Sequence, residues 1–199
     1  MTAADGDEGR TRVLQAAEEL FYEYGIHAVR MTQVRDHAGV SLARLYKLYP
    51  SKHHLVAAYL RAHGQRLRAD LAGSVERSAP APAGSRARLL AAFDHMQHTI
   101  TAPGFRGCAF VNAWAEAGGP GHERHPLVVE AVQEHKSLLR DYLTGLAEDY
   151  THVRGVGEQV HILVEGAMAT SALLGADAAR PARDGVCAVL AAADSAREG

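Results

Sequence analysis

The sequence predicts an all-α protein of about nine helices, with a small N-terminal module followed by a larger helical body. Three observations support this. No run alternates apolar and polar residues, and no Asn-Gly or Asp-Gly turn stands between β-branched runs, so strand and hairpin signals are missing. Apolar residues recur instead three and four apart, the spacing of one helix face. Gly, Pro and small polar residues punctuate these periodic stretches. A chain of 199 residues suits one compact domain, or a module of roughly 50 residues joined to a larger one.

In the first helix Val13, Leu14, Ala17, Leu20, Phe21 and Tyr24 form one stripe, and Gly25 ends it as a left-handed cap. A short segment from Met31 to Ala38 is closed by Gly39. Ser41 can cap the next helix, from Leu42 to about Tyr49. Pro50-Ser51 stops that helix and starts a fourth, which carries Leu55, Val56, Tyr59, Leu60, Leu67 and Leu71 and is expected to run to about Gly73.

Residues 78–85, SAPAPAGS, read as a linker-like loop. A fifth helix is expected at about 86–102, with Leu89, Leu90, Phe93, Met96, Gln97 and Ile100 inward, and Pro103-Gly104 breaks it. A sixth covers about 105–117, and GGPGHERHP forms a second loop. Pro126 suits the first turn of a long seventh helix with the stripe Val128, Ala131, Val132, His135, Leu138, Leu139, Tyr142 and Leu146. The last two helices are expected at about 155–175 and 181–196. The resulting division is 9–55 and 56–199.

The bulk composition excludes several classes. No stretch of about 18 apolar residues occurs, so no membrane span is expected. The start, MTAADGDEGR, is acidic and small without an apolar core, unlike a secretory signal, so a cytoplasmic location is expected. Cys108 and Cys187 lie outside any CxxC and read as buried free thiols; nothing in their spacing supports a redox sensor. The formal net charge of −2 hides an asymmetry. Residues 10–64 hold eight Lys/Arg against four Asp/Glu, while the flanking segments are both acidic. A basic module within an acidic chain is the distribution of a small nucleic-acid-binding unit.

Residues 30–49 carry the sharper signal. Ala38-Gly39-Val40 forms a tight turn between two short helices: Ala38 lets them approach, Gly39 takes positive φ cheaply, and Val40 plugs the core. This is the arrangement of a helix-turn-helix, whose second helix lies in the DNA major groove. Ser41 and Tyr46 can donate to phosphates, Arg44 can reach a guanine edge, and Leu42 can touch a thymine methyl. Lys47 adds charge toward the backbone, and Lys52 at the next helix start favours a phosphate. Arg30, Thr32, Ala43 and Tyr49 complete the candidate DNA-binding set. A three-helix bundle without ligand explains Phe21, Val34, Val40, Leu45 and Tyr49 as core, but leaves Arg44, Lys47 and Lys52 unexplained.

Residues 11–60 resemble the DNA-binding domain of the TetR family of bacterial repressors. The matching residues are Ala16-Ala17-Glu18-Glu19-Leu20-Phe21, Gly25, Val34, Ala38-Gly39-Val40-Ser41, Leu45-Tyr46, and Tyr49-Pro50-Ser51-Lys52 with Leu55. The chain departs from the family at Arg30, where Thr or Ser is usual as a cap. It departs also at Arg35, at Ala43-Arg44 where Gly-Thr is usual, and at His53, near which a glutamate is usual. The change to Arg44 suggests a distinct base preference. Arg106-Gly107-Cys108-Ala109-Phe110-Val111-Asn112, with Glu116 and His125-Pro126, further resembles a Gly-Cys-containing subgroup.

The resemblance implies that the remainder is a helical domain that binds a small effector and dimerises through the last two helices. Residues 160–174, VHILVEGAMATSALL, are apolar around most of the helix, and Gly166, Ala167, Ala169 and Ala172 would let two helices pack closely. The alternative is a helix central to its own subunit. The expected effector pocket lies between the fifth and eighth helices. Its candidate lining is Phe93, Met96, Ile100, Phe110, Trp114, Leu138, Tyr142 and Met168, with Gln97, Asn112, Glu116 and His135 as polar contacts. For any one of these, core packing outweighs ligand contact. His95 with His98, His122 and His125 with Glu123, and His161 with Glu165 raise a metal reading, but no HExxH or Cys/His quartet is present. No catalytic fingerprint appears, so an enzyme is the remote alternative and no cofactor is expected. The expected function is a homodimeric repressor released from a palindromic operator by a small hydrophobic effector. A metal-responsive or ligand-independent regulator is the alternative.

Overall fold

The computed structural model describes residues 3–117 and 125–198. Among them the regular structure is entirely helical: α1 (Ala3–Tyr24), α2 (Met31–Ala38), α3 (Leu42–Leu48), α4 (Lys52–Ser78), α5 (Ser85–Thr101), α6 (Ala109–Glu116), α7 (Pro126–Leu146), α8 (Val156–Leu174) and α9 (Arg180–Glu198). Short 3-10 turns occupy Glu148–Tyr150 and Ala176–Ala179. The expected all-α class with about nine helices holds. Three boundaries differ from expectation. α1 starts well before its apolar stripe, and α4 continues past Gly73. α6 starts at Ala109 rather than near 105, because Gly104 and Gly107 sit at φ 83° and 89° and keep the preceding residues out of the helix. Most of the second expected loop, with its candidates His122 and Glu123, lies outside the described residues.

Packing divides the chain into two compact units, residues 1–66 with 109–135, and residues 67–108 with 136–199. The first unit contains α1 to α3, the start of α4, α6 and the start of α7. Its core includes Val13, Ala17, Phe21, Val34, Leu45, Leu55 and Leu60, each at most 4% exposed, with Phe110 and Ala113 of α6 also buried. The Phe21 and Tyr59 rings meet in a tilted pair at 5.9 Å. Three carboxylates, a histidine and two arginines add further ties. Glu18 takes His63 Nδ1 at 2.8 Å and also pairs with Arg66. Arg61 of α4 donates to Glu134 at 3.0 Å and to Glu130 at 2.9 Å on α7.

The second unit is built around α8, which packs chiefly on α9 and α5. Its core gathers Leu71, Leu89, Phe93, Leu143, Val160, Val164, Val186 and Leu190. Gly157, in the first turn of α8, crosses α7 so closely that an added Cβ would collide with the Thr144 Cα and lie 2.8 Å from the Thr144 N and 2.9 Å from the Leu143 carbonyl. Two polar ties close the unit. Ser85 N–H donates to Asp149 Oδ2 at 2.7 Å while Asp149 N–H donates to Ser85 Oγ at 3.0 Å. Tyr150 donates its hydroxyl proton to Asp194 at 2.8 Å. That bond and burial push the Tyr150 phenol up to about 12, burial being the larger cause.

Candidate nucleic-acid interface

The two short helices are held by local chemistry that the sequence specifies. Gly39 adopts φ 63° at the end of α2, and its N–H and that of Val40 bond back to the Asp36 and Arg35 carbonyls. Ser41 caps α3, its Oγ accepting from the Arg44 N–H at 3.2 Å. At the start of α2, Arg30 occupies the cap position without a side-chain capping bond; instead Gln33 Oε1 accepts from the Arg30 backbone N–H at 2.7 Å. That is one half of a capping box, supplied from the third helical position where the Thr or Ser of the resemblance is missing.

Leu45 is the one buried residue of α3. A single anchor on a seven-residue helix leaves the other faces turned outward. Ser41, Leu42, Ala43, Tyr46 and Lys47 are exposed, with Leu42 at 38% and Tyr46 at 45%. Two large apolar or aromatic side chains left in water beside a lysine describe a surface for a partner, not a solvated face. Arg30 and Thr32 are also exposed. Arg44 is half-buried: its guanidinium lies so close to Gly9 of α1 that a Cβ there would stand 2.6 Å from Nη2. The glycine therefore makes room for the arginine. Tyr49 differs from the rest of the candidate set. It is 3% exposed, its hydroxyl is enclosed, and the Arg10 guanidinium lies 5.7 Å from the ring centroid.

Lys52 is half-buried. Its Nζ donates to the His27 carbonyl at 3.2 Å, and burial pushes its ammonium down, with Glu116 opposing the shift. Glu116 of α6 accepts from the His27 N–H at 2.7 Å and lies against Gly25. Glu116 and Lys52 thus hold the α1–α2 connection from both of its backbone groups at His27. A small cavity of about 80 Å³ lies beside them, lined in part by Ile26, Val56 and Val128. The His53 and His125 rings stack at 4.1 Å next to it. Glu116, which the sequence pattern places among the effector contacts, is engaged with the backbone of the α1–α2 connection. A carboxylate reaching 89 positions back along the chain leaves no local signal that periodicity can detect.

The remaining effector candidates fall in both units. In the first unit, Phe110 stacks on the buried His135 at 3.6 Å, Trp114 is half-buried and Asn112 is exposed. In the second, Phe93, Ile100 and Met168 belong to the core cluster, with Met96 and Tyr142 packed against it. Gln97 is half-buried and Leu138 is 41% exposed. Among the histidine pairs, His161 Nε2 stands 3.5 Å from Glu165, which also takes the Lys136 ammonium at 2.7 and 2.5 Å. The same ammonium reaches Cys108 Sγ at 3.3 Å. Among the described residues no group of three or more His, Cys, Asp or Glu side chains is placed to hold a metal ion. Nor is any helix there long and apolar enough to cross a membrane.

A capped short helix turned outward on one leucine, following a tight glycine turn, defines a helix-turn-helix DNA-binding protein. Residues 13–59 match the model of the bacterial regulatory proteins, tetR family. The solved structure of a TetR-family transcriptional regulator from Streptomyces coelicolor is 31% identical, covers 94% of this chain and 96% of its own, and superposes with a TM-score of 0.79. The chain belongs to the TetR family of transcriptional regulators, which are DNA-binding proteins rather than enzymes. A tetR transcriptional regulator from Streptomyces avermitilis is 25% identical, with coverage of 94% and 98% and a TM-score of 0.74. The HTH-type transcriptional activator FasR of Mycolicibacterium smegmatis is 35% identical over 92 residues. That match takes in 46% of this chain and 42% of FasR, so the chain spans less than half the length of that curated relative.

Proposed function

We propose that this protein acts as a homodimeric, effector-responsive repressor that holds a palindromic operator through two copies of α3. The observation that carries the reading is the exposure of the cap Ser41 and of Leu42, Tyr46 and Lys47 on a helix whose one buried residue is Leu45. In this reading Ser41, Tyr46, Lys47, Lys52, Arg30 and Thr32 serve the phosphate backbone. Arg44 reads a guanine, with Leu42 and Ala43 against the bases. Residues 9–55 do the reading, and residues 56–199 bind the effector and dimerise.

The dimer proposal rests on a second exposed surface. Ile162, Gly166, Ala169 and Leu173 follow one another along the outer face of α8, and Ile162 and Leu173 are 68% and 82% exposed. Ala188, Ala191 and Ala192 are exposed on α9. A stripe of large apolar and small residues on two adjacent helices suits self-association across a two-fold axis. The two copies of α3 would then address half-sites about one DNA turn apart. A small effector with an apolar body would favour a different spacing and release the DNA. A second reading, activation instead of repression, draws support from the name of FasR.

The test is operator selection from random duplexes followed by fluorescence polarisation across a salt series. Binding should fall steeply with salt. Arg44→Ala should cost about 1–3 kcal/mol and relax preference at one base pair. A loss of the same size on every sequence contradicts the reader role. Leu173→Glu should yield monomers in analytical ultracentrifugation, and an unchanged mass contradicts the dimer surface.

A further inference from the structure

α5 shows two faces. One carries Leu89, Phe93 and Ile100 into the core of the second unit. The other faces an open groove of about 520 Å³ that it shares with the end of α4 and the start of α9. This volume lies within the range of small-molecule sites. Apart from Leu90, which the helical periodicity places inward, the residues of the second face are small or polar, so the sequence marks that face as solvent.

The groove is chemically uneven. Leu90 and Ala91 form an apolar strip along α5. Around it stand Ser74 and Ser78 from α4, His95 and His98 from α5, and Arg183 from α9. The single acidic residue of the lining is Asp94, and its charge is already met. Arg183 Nε donates to Asp94 Oδ1 at 2.9 Å, with Nη2 at 3.4 Å from Oδ2. This pair fixes the guanidinium and leaves the N–H groups of Nη1 for a second acceptor. Burial pushes the His95 imidazole down, with His98 and Arg77 adding to the effect and Asp70 opposing it. His95 therefore offers a neutral ring N–H beside the two hydroxyls. The polar rim is rich in donors and its one carboxylate is neutralised, so a cationic ligand finds no partner. A polyphosphate would need more than one guanidinium. A single carboxylate on a hydrocarbon body matches both the rim and the strip.

We propose that this groove binds a small monocarboxylic acid with an apolar tail, its carboxylate held by Arg183 and the Ser74, Ser78 and His95 donors and its tail along Leu90 and Ala91. That the groove is also the effector site rests on the effector-responsive reading above.

The experiment uses the full chain labelled with ¹⁵N-histidine and titrated with octanoate, with 1-octanol as the uncharged control. Octanoate should shift the imidazole signals of His95 and His98 saturably, and octanol should not. Arg183→Gln should weaken octanoate binding about tenfold or more, with Arg183→Lys recovering part of it. Ala91→Trp, which fills the strip while keeping Arg183 and Asp94 in place in the sequence, should abolish the shifts; circular dichroism checks that each variant is folded. The assignment is overturned if octanoate gives no saturable shift or shifts only other histidines. It is equally overturned if octanol matches octanoate, or if the folded Arg183→Gln and Ala91→Trp variants bind as the parent does. Operator affinity is measured in parallel. Saturable binding in the groove with unchanged operator affinity upholds the site and overturns only its effector role.

Discussion

Leu45→Ala tests the anchoring argument directly. The Leu45 side chain is 0% exposed and is the sole buried residue of α3. Replacement by alanine removes three buried carbons, worth about 2.4 kcal/mol at roughly 0.8 kcal/mol each. The cavity left behind raises the expected loss to about 3–4 kcal/mol. A seven-residue helix has no independent stability, so α3 detaches before the rest of the first unit does. Urea unfolding followed by circular dichroism should show a lowered midpoint, and hydrogen exchange should show α3 amides opening first. Fluorescence polarisation should show operator affinity falling together with α3 protection. Leu45→Met, close in volume, should cost less than about 1.5 kcal/mol and retain binding. A folded Leu45→Ala protein with a loss under about 1 kcal/mol and unchanged operator affinity would refute the claim that one leucine holds the reading helix.

Further outcomes follow from the same geometry. Gly157→Ala should destabilise the second unit by about 1–3 kcal/mol, since the new methyl meets α7 backbone and not a flexible side chain; thermal melting measures it. Tyr150 should ionise near pH 12 in a spectrophotometric titration. Because its folded-state value is raised from 10.0, the associated stability is present below pH 10 and is lost as the pH rises towards 12. Tyr150→Phe should remove that alkaline loss and cost about 1 kcal/mol at neutral pH. Glu18 is held below its ordinary value, chiefly by the His63 hydrogen bond, so its contribution is present above the unfolded value and is lost as the pH falls through the lowered folded one. Glu18→Gln should flatten that acid limb in pH-dependent melts, and an unchanged limb would count against the tie.

The reading module was legible because its signals are local. A cap at Ser41, a left-handed turn at Gly39 and a buried Leu45 each act within a few residues, and α2 spans the segment expected of it. Arg30 shows where local reasoning stopped short: arginine cannot cap, but the compensating Gln33 bond was not anticipated. The effector region was less legible. Helical periodicity finds the residues that face inward, and Phe93 and Ile100 do, but it cannot tell a filled core from a lined cavity. Glu116 illustrates the same limit from the polar side, since its partner on the His27 backbone is distant in sequence.

The tether from Glu116 to the α1–α2 connection has a practical consequence for domain grafting. The stacked His125 and the Arg61 partners Glu130 and Glu134 belong with it, in the stretch that packs with residues 1–66. A fragment ending near residue 55 would discard all four together with Tyr59, and expose the apolar side of Phe21 and Leu55. A transplantable reading head therefore comprises two stretches of chain, and a chimera that exchanges only the first should inherit a mismatched brace.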